Sequence, residues 1–132
     1  MTRTQQLLTI LLLALSACQE RTDIDLSSMT DKERQAVESL AWLHQANAEQ
    51  DAQVAIAYND LRLLGMPGRV RNLPGVAPGE VEEAAKHCGI RYLEGVSDIV
   101  QGETHRQLLQ AVSEYAARYN HIMLSHCFDG NP

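Results

Sequence analysis

Residues 102–127 read GETHRQLLQAVSEYAARYNHIMLSHC. Within them Leu108, Val112, Tyr115, Tyr119 and Ile122 recur at steps of three and four, with Leu109, Ala116 and Met123 beside them. That period lays one apolar stripe along an α-helix. Gly102 marks a turn before it, and Thr104 an N-cap. The rest of the chain needs to supply partners for this stripe.

Upstream, Val81, Ala84, Ala85, Cys88, Tyr92, Val96 and Ile99 form a second stripe on helical spacing from near Glu80. Gly89 and Gly95 each weaken a helix there by about 1 kcal/mol relative to alanine. A break at Gly89, followed by a short strand through Ile90–Leu93, is the competing reading. Before it, residues 65–79 hold four glycines and three prolines and read as a loop. Gly65 and Pro67 stop the preceding helix. The loop also carries Met66, Val70, Leu73 and Val76, so it is not a purely solvated linker.

Further upstream, Thr30-Asp31-Lys32-Glu33 matches the capping box that opens a helix. Ala36, Val37, Leu40, Ala41, Leu43 and His44 follow on helical spacing, and Val54, Ala57, Tyr58, Leu61 and Leu64 continue it. One helix over this stretch would be unusually long for a small domain, so two helices joined near Asn47–Asp51 are favoured over one. No run alternates with period two for long enough to force a sheet. The expected fold is all-α, a bundle of three or four helices over residues 30–132.

The front of the chain has a different character. Arg3 precedes a stretch from Leu7 to Leu15 that is apolar apart from Thr9, and the small residues Ser16 and Ala17 lead into Cys18. This is the pattern of a cleaved signal over residues 1–17, too short to span a bilayer. Leu15-Ser16-Ala17-Cys18 resembles the lipobox of bacterial lipoproteins. The resemblance implies cleavage before Cys18, a diacylglyceryl group on its sulfur and, usually, an acyl chain such as palmitate on its amino group. Two or more chains make a stable anchor. Gln19, where that family often has aspartate for inner-membrane retention, points to the outer membrane with the domain in the periplasm. Residues 18–29 are then the lipidated cysteine and a flexible tether.

With Cys18 assigned to lipid, Cys88 and Cys127 remain in an oxidising compartment, where thiols pair. A bridge between them closes a loop of about 40 residues and stabilises the fold by about 3–4 kcal/mol. The bridge constrains the geometry. Two straight helices, antiparallel about Gly102, would put Cys88 about 20 Å and Cys127 about 35 Å from the turn. Bridged α-carbons lie within about 7 Å. The last helix is therefore predicted to end near Asn120 or His121, with its tail bending back.

Without the signal the chain carries 17 acidic against 10 basic residues, a net charge near −7. That balance argues against a nucleic-acid partner, whose phosphates need clustered positive charge. The pairs His87-Cys88 and His126-Cys127 invite a Cys₂His₂ zinc site, but adjacent ligands lack the usual spacing, and a disulfide is the preferred reading. His121 and His126 diverge by about 140° on a helix and chelate poorly. His44 is expected half-buried on an apolar helix face, and His105 solvated in a first helical turn. Glu82-Glu83 and Glu33/Glu38 suit solvated helix faces. Familiar catalytic signatures are missing, so no catalytic residue, cofactor or metal is assigned.

The long loop is the most suggestive surface feature. Arg69 and Arg71 offer positive charge on an acidic protein, and Arg69, Val70, Arg71 and Leu73 are candidate contacts for a protein partner. The slightly favoured reading is that Val70, Leu73 and Val76 pin the loop across one end of the bundle, and the two are compatible. A second resemblance lies in Cys88 with Tyr92-Leu93-Glu94-Gly95-Val96-Ser97-Asp98. It is similar to the cysteine-containing helix of small periplasmic immunity proteins that bind toxic type VI amidases, a helical and disulfide-bonded family. A glycine-bearing helix interface accounts for the same residues.

The expected function is thus a lipid-anchored, periplasm-facing helical domain that binds a protein partner, as an envelope accessory or assembly factor. The alternatives are an immunity or inhibitor lipoprotein against a periplasmic hydrolase, and a metal- or small-ligand-binding lipoprotein. Cys18→Ser is expected to move the protein from the membrane pellet to the soluble fraction on cell fractionation. Continued sedimentation with membranes would remove the lipid anchor from the account.

Overall fold

The last helix does not stop at Asn120. In the computed structural model, which describes residues 24–68 and 71–130, it runs unbroken over Glu103–Asp129 as the longest element. Its 27 residues make a rod about 40 Å long. The signal, Cys18 and the first residues of the tether lie outside the described residues, as do Arg69 and Val70 of the loop. Among the described residues no helix is long and apolar enough to cross a membrane.

The remaining elements pack along this rod. In chain order the main elements are α1 (Asp31–Glu38), a 3₁₀ turn (Ala41–Gln45), α2 (Ala48–Ala57), β1 (Leu63–Gly65), α3 (Val81–Cys88), β2 (Ile90–Tyr92) and the rod itself, α4 (Glu103–Asp129). The four-helix arrangement is closed by the expected Cys88–Cys127 disulfide, with α-carbons 5.7 Å apart. Two antiparallel helices about Gly102 are not how the cysteines meet. The break at Gly89 is real: it adopts φ 79°, α3 ends there, and the chain continues as a strand. The fourteen steps from Cys88 to Gly102 are largely non-helical. Extended chain reaches about 45 Å over that length, against about 20 Å for helix. It therefore returns along the whole of α4, and Cys88 sits beside the far end without any bend in the last helix.

Residues 31–64 form the two helices favoured from sequence, with a 3₁₀ turn before their junction at Asn47 and a strand in place of the second helix's last turns. Thr30 caps α1 as predicted, its Oγ1 accepting from the Glu33 N–H at 3.2 Å. The other half of the capping box is diverted, however. Glu33 Oε1 accepts from the Thr104 N–H at 3.2 Å, so one acidic side chain caps the start of α4. Thr104 is accordingly inside the first turn, and Gly102 holds the N-cap position with no side chain of its own to offer. Asn47 and Asp51 cap α2 reciprocally: Asn47 Oδ1 accepts from Gln50 N–H at 3.0 Å and Asp51 Oδ2 from Asn47 N–H at 3.1 Å. Helix α2 ends at Ala57, earlier than its periodicity implied, because Asn59 takes a left-handed turn at φ 56°. The Arg62 guanidinium then grips Asp60 at 2.9 Å and holds its carboxyl down at about 2. Leu61 and Leu64 leave the helical path, and Gly65 belongs to a strand rather than to a helix cap.

The bundle thus includes a small parallel sheet that the all-α expectation lacked. Leu63, Leu64 and Gly65 pair with Ile90, Arg91 and Tyr92. Three residues per strand leave no alternation long enough to read. Both β1 leucines are buried, together with Leu40, Val112, Tyr119 and Met123. The outward edge of β1 is completed by a side chain. Asn120 Oδ1 accepts from the Leu64 N–H at 2.7 Å, and its Nδ2 donates to the Leu64 carbonyl at 2.9 Å and to the Pro74 carbonyl at 2.8 Å. Asn120→Leu leaves these buried main-chain groups without partners, each worth about 1–3 kcal/mol. We expect a loss of about 3 kcal/mol or more in urea unfolding at pH 7. A midpoint unchanged from the parent would refute this role.

Candidate partner-binding surface

The loop that follows β1 is held from below. Met66 N–H donates to the Asn72 carbonyl at 3.1 Å, and Asn120 holds Pro74 as described. Gly75, at φ 80°, lies so close to the Ala117 main chain that a β-carbon would overlap it. Leu73 is only 2% exposed and packs in the core. Of the four residues expected to meet a partner, Leu73 is therefore spent on anchoring, and Arg69 and Val70 lie outside the described residues. Arg71 is exposed, and its Nη1 donates to Glu82 Oε2 of α3 at 3.0 Å.

That ion pair stands at the rim of a groove of about 700 Å³. Its walls come from Arg71, from Glu82, Ala85 and Lys86 of α3, and from Ile90 and Tyr92 of β2. A smaller groove of about 270 Å³, with Val76 and Pro78, adjoins it on the other side of Arg71. The two β2 side chains were not legible as surface residues. A helical stripe puts Tyr92 on a buried face, whereas in the strand it is 51% exposed. The run Gly-Ile-Arg-Tyr, a helix stop followed by β-favouring residues, is the signal that points to the strand.

The strand edge adds main-chain chemistry to the groove. Leu63 N–H donates to the Gly89 carbonyl and Leu93 N–H to the Gly65 carbonyl, both at 3.0 Å. In a parallel ladder this register turns the Arg91 N–H and C=O toward β1. The N–H and C=O of Ile90 and Tyr92 then face away from the sheet, and they find no main-chain partner among the described residues. Such an edge can accept an extended segment from another chain.

The histidines are arranged differently from expectation. His105 is completely buried, not solvated. Its Nδ1 accepts from the Gln101 N–H at 3.0 Å, which places the ring proton on Nε2 in the neutral form, and Nε2 has no partner. His44 is exposed on the 3₁₀ turn, because that turn rotates it off the helical path. It lines an apolar groove of about 360 Å³ together with Leu26, Val37, Leu40, Leu43 and Leu108. His87 stacks on Phe128, with ring centroids 4.5 Å apart, rather than meeting His126. Both cysteines of the zinc reading are consumed by the disulfide. Among the described residues no group of three or more His, Cys, Asp or Glu is placed to hold a metal ion.

Residues Tyr92–Asp98, expected as helix under the immunity-protein resemblance, form the end of β2 and a turn. Gly95 sits at φ 72° against the Ser39 carbonyl, where a β-carbon would clash, and Trp42 Nε1 donates to the Glu94 carbonyl at 3.3 Å. A tight turn rather than a helix interface accounts for this glycine. No family model, curated protein or solved structure matches the chain.

The loop's two roles separate by mutation. Arg71→Ala removes an exposed ion pair and is expected to change stability by at most about 1 kcal/mol. Leu73→Ala opens the core and costs about 2–5 kcal/mol. Equal unfolding midpoints for the two variants would contradict this division.

Proposed function

We propose that this chain is a lipid-anchored domain on the periplasmic face of the outer membrane that binds a protein partner, as an envelope accessory or assembly factor. The observation that carries the binding reading is the unpaired edge of β2 beside the Arg71–Tyr92 groove. Main-chain groups there supply affinity for an extended segment, and the groove supplies side-chain selection. The disulfide and Asn120 hold this surface rigid, which lowers the ordering cost of binding. The lipid anchor rests on the lipobox resemblance of residues 15–18.

The alternative is an immunity or inhibitor lipoprotein against a periplasmic hydrolase, although Tyr92–Asp98, whose sequence suggested it, form a strand end and a turn and not the helix of that resemblance. The Tyr92 side chain stands in the groove. In that case the partner is a hydrolase and binding inhibits it.

Capture from envelope extract by the soluble Cys18→Ser chain tests both. Arg71→Glu reverses charge at the rim, and Tyr92→Pro removes an N–H that β1 does not use. Each is expected to reduce partner recovery by about tenfold, the effect of about 1.4 kcal/mol. Undiminished recovery with both variants would sink this surface. Identification of the captured protein as a hydrolase whose activity falls on binding would select the inhibitor.

A further inference from the structure

The two ends of α4 differ in chemistry. The C-terminal half carries the candidate surface: Ala117 abuts Gly75, Asn120 holds Leu64 and Pro74, and Cys127 is bonded to Cys88. At the N-terminal end Glu33 meets Thr104, and the adjacent Arg34 donates from Nη2 to the Leu26 carbonyl at 3.3 Å. Leu26 and Leu108 line one apolar groove there, with Ile24 beside them. Ile24, the described residue nearest to Cys18 in sequence, therefore lies at the N-terminal end of α4. Six steps from Ile24 to Cys18 span at most about 20 Å.

The same end exposes large apolar side chains. Ile99 and Val100, consecutive just before Gln101 and Gly102, are 63% and 51% exposed, and Leu26 is 39% exposed. The charges around them do not form a basic patch. Asp25 and Asp98 are exposed beside them, Asp31 pairs with Arg34, and Glu103 pairs with Arg106. Attraction to a surface here is apolar, not a pull toward anionic headgroups. A tether this short holds the end at high effective concentration against the bilayer, where a weak apolar contact suffices.

We infer that this end rests on the membrane, with Leu26, Ile99 and Val100 in the boundary between headgroups and acyl chains. Helix α4 then points away from the bilayer and presents the Arg71–Tyr92 groove, whose flanking segments meet the helix between Ala117 and Cys127, about 20–35 Å from the membrane. The inference rests on the lipid-anchor reading of Cys18.

The test uses the full lipidated chain in phosphatidylcholine vesicles with brominated acyl chains. Ile99→Trp, Val100→Trp and Phe128→Trp are compared over the Trp42 background of the parent. All three sites are exposed, so the substitutions add no core strain. Tryptophan at 99 or 100 is expected to emit further to the blue and to be quenched about twofold more than tryptophan at 128. Equal quenching at both ends, in protein that floats with the vesicles, overturns the membrane-seated end and leaves the anchor standing. Protein that fails to float overturns the anchor, and the seated end with it.

Discussion

The Asn120 carboxamide has its oxygen on one main-chain N–H and its nitrogen on two carbonyls, all in the interior. Three segments distant in sequence meet there: the middle of α4, the strand β1, and the turn at Pro74. Without this side chain the edge of β1 would be buried unpaired, a cost that a domain of this size can ill tolerate. With it, a two-stranded sheet can lie against a helix and still have one edge turned outward. The open edge of β2, and the groove it borders, follow from Asn120 closing the other side.

The disulfide and the Glu33 cap act at the two ends of the same rod. Cys127 ties the C-terminal end of α4 to α3, and Glu33 ties its N-terminal turn to α1. Between them Tyr115 fixes α2, donating its hydroxyl to Asp51 Oδ2 at 2.8 Å while Trp42 meets its ring edge-on. Burial, reinforced by the Asp51 hydrogen bond, pushes the Tyr115 hydroxyl well above its usual range. The helix is thereby a common spine, and chemistry at one end is held at a set distance from chemistry at the other. The proposed partner surface and the proposed tether, toward opposite ends of this spine, would exploit that rigidity.

Much of this was legible from residue type and spacing. The stripe from Leu108 to Met123, the cap at Thr30, the junction at Asn47 and the pairing of Cys88 with Cys127 all appear as read. What misled were residues whose environment is set by distant chain. Glu33 caps a helix seventy residues away instead of its own. His105 reads as a solvated first-turn residue, yet the returning loop covers it and Gln101 bonds to its ring. Leu73 reads both as a pin of the loop and as a partner contact, and the Asn120 clamp, which draws its segment inward, decides for the pin. Tyr92 fits a helical stripe by spacing alone and stands instead on an exposed strand.

Local pattern by itself determined the elements with strong period or chemistry: the long last helix, the capped first one, a loop of glycine and proline, and a cysteine pair available for bridging. Those signals act within a few residues, through apolar periodicity and main-chain capping. The route between Cys88 and Gly102 was decided only by tertiary structure. Extended chain covers more than twice the distance per residue of helix, so a strand return allowed α4 to stay whole and still meet Cys88. The same choice exposed the edge of β2 and buried His105, because both depend on which distant segment lies alongside.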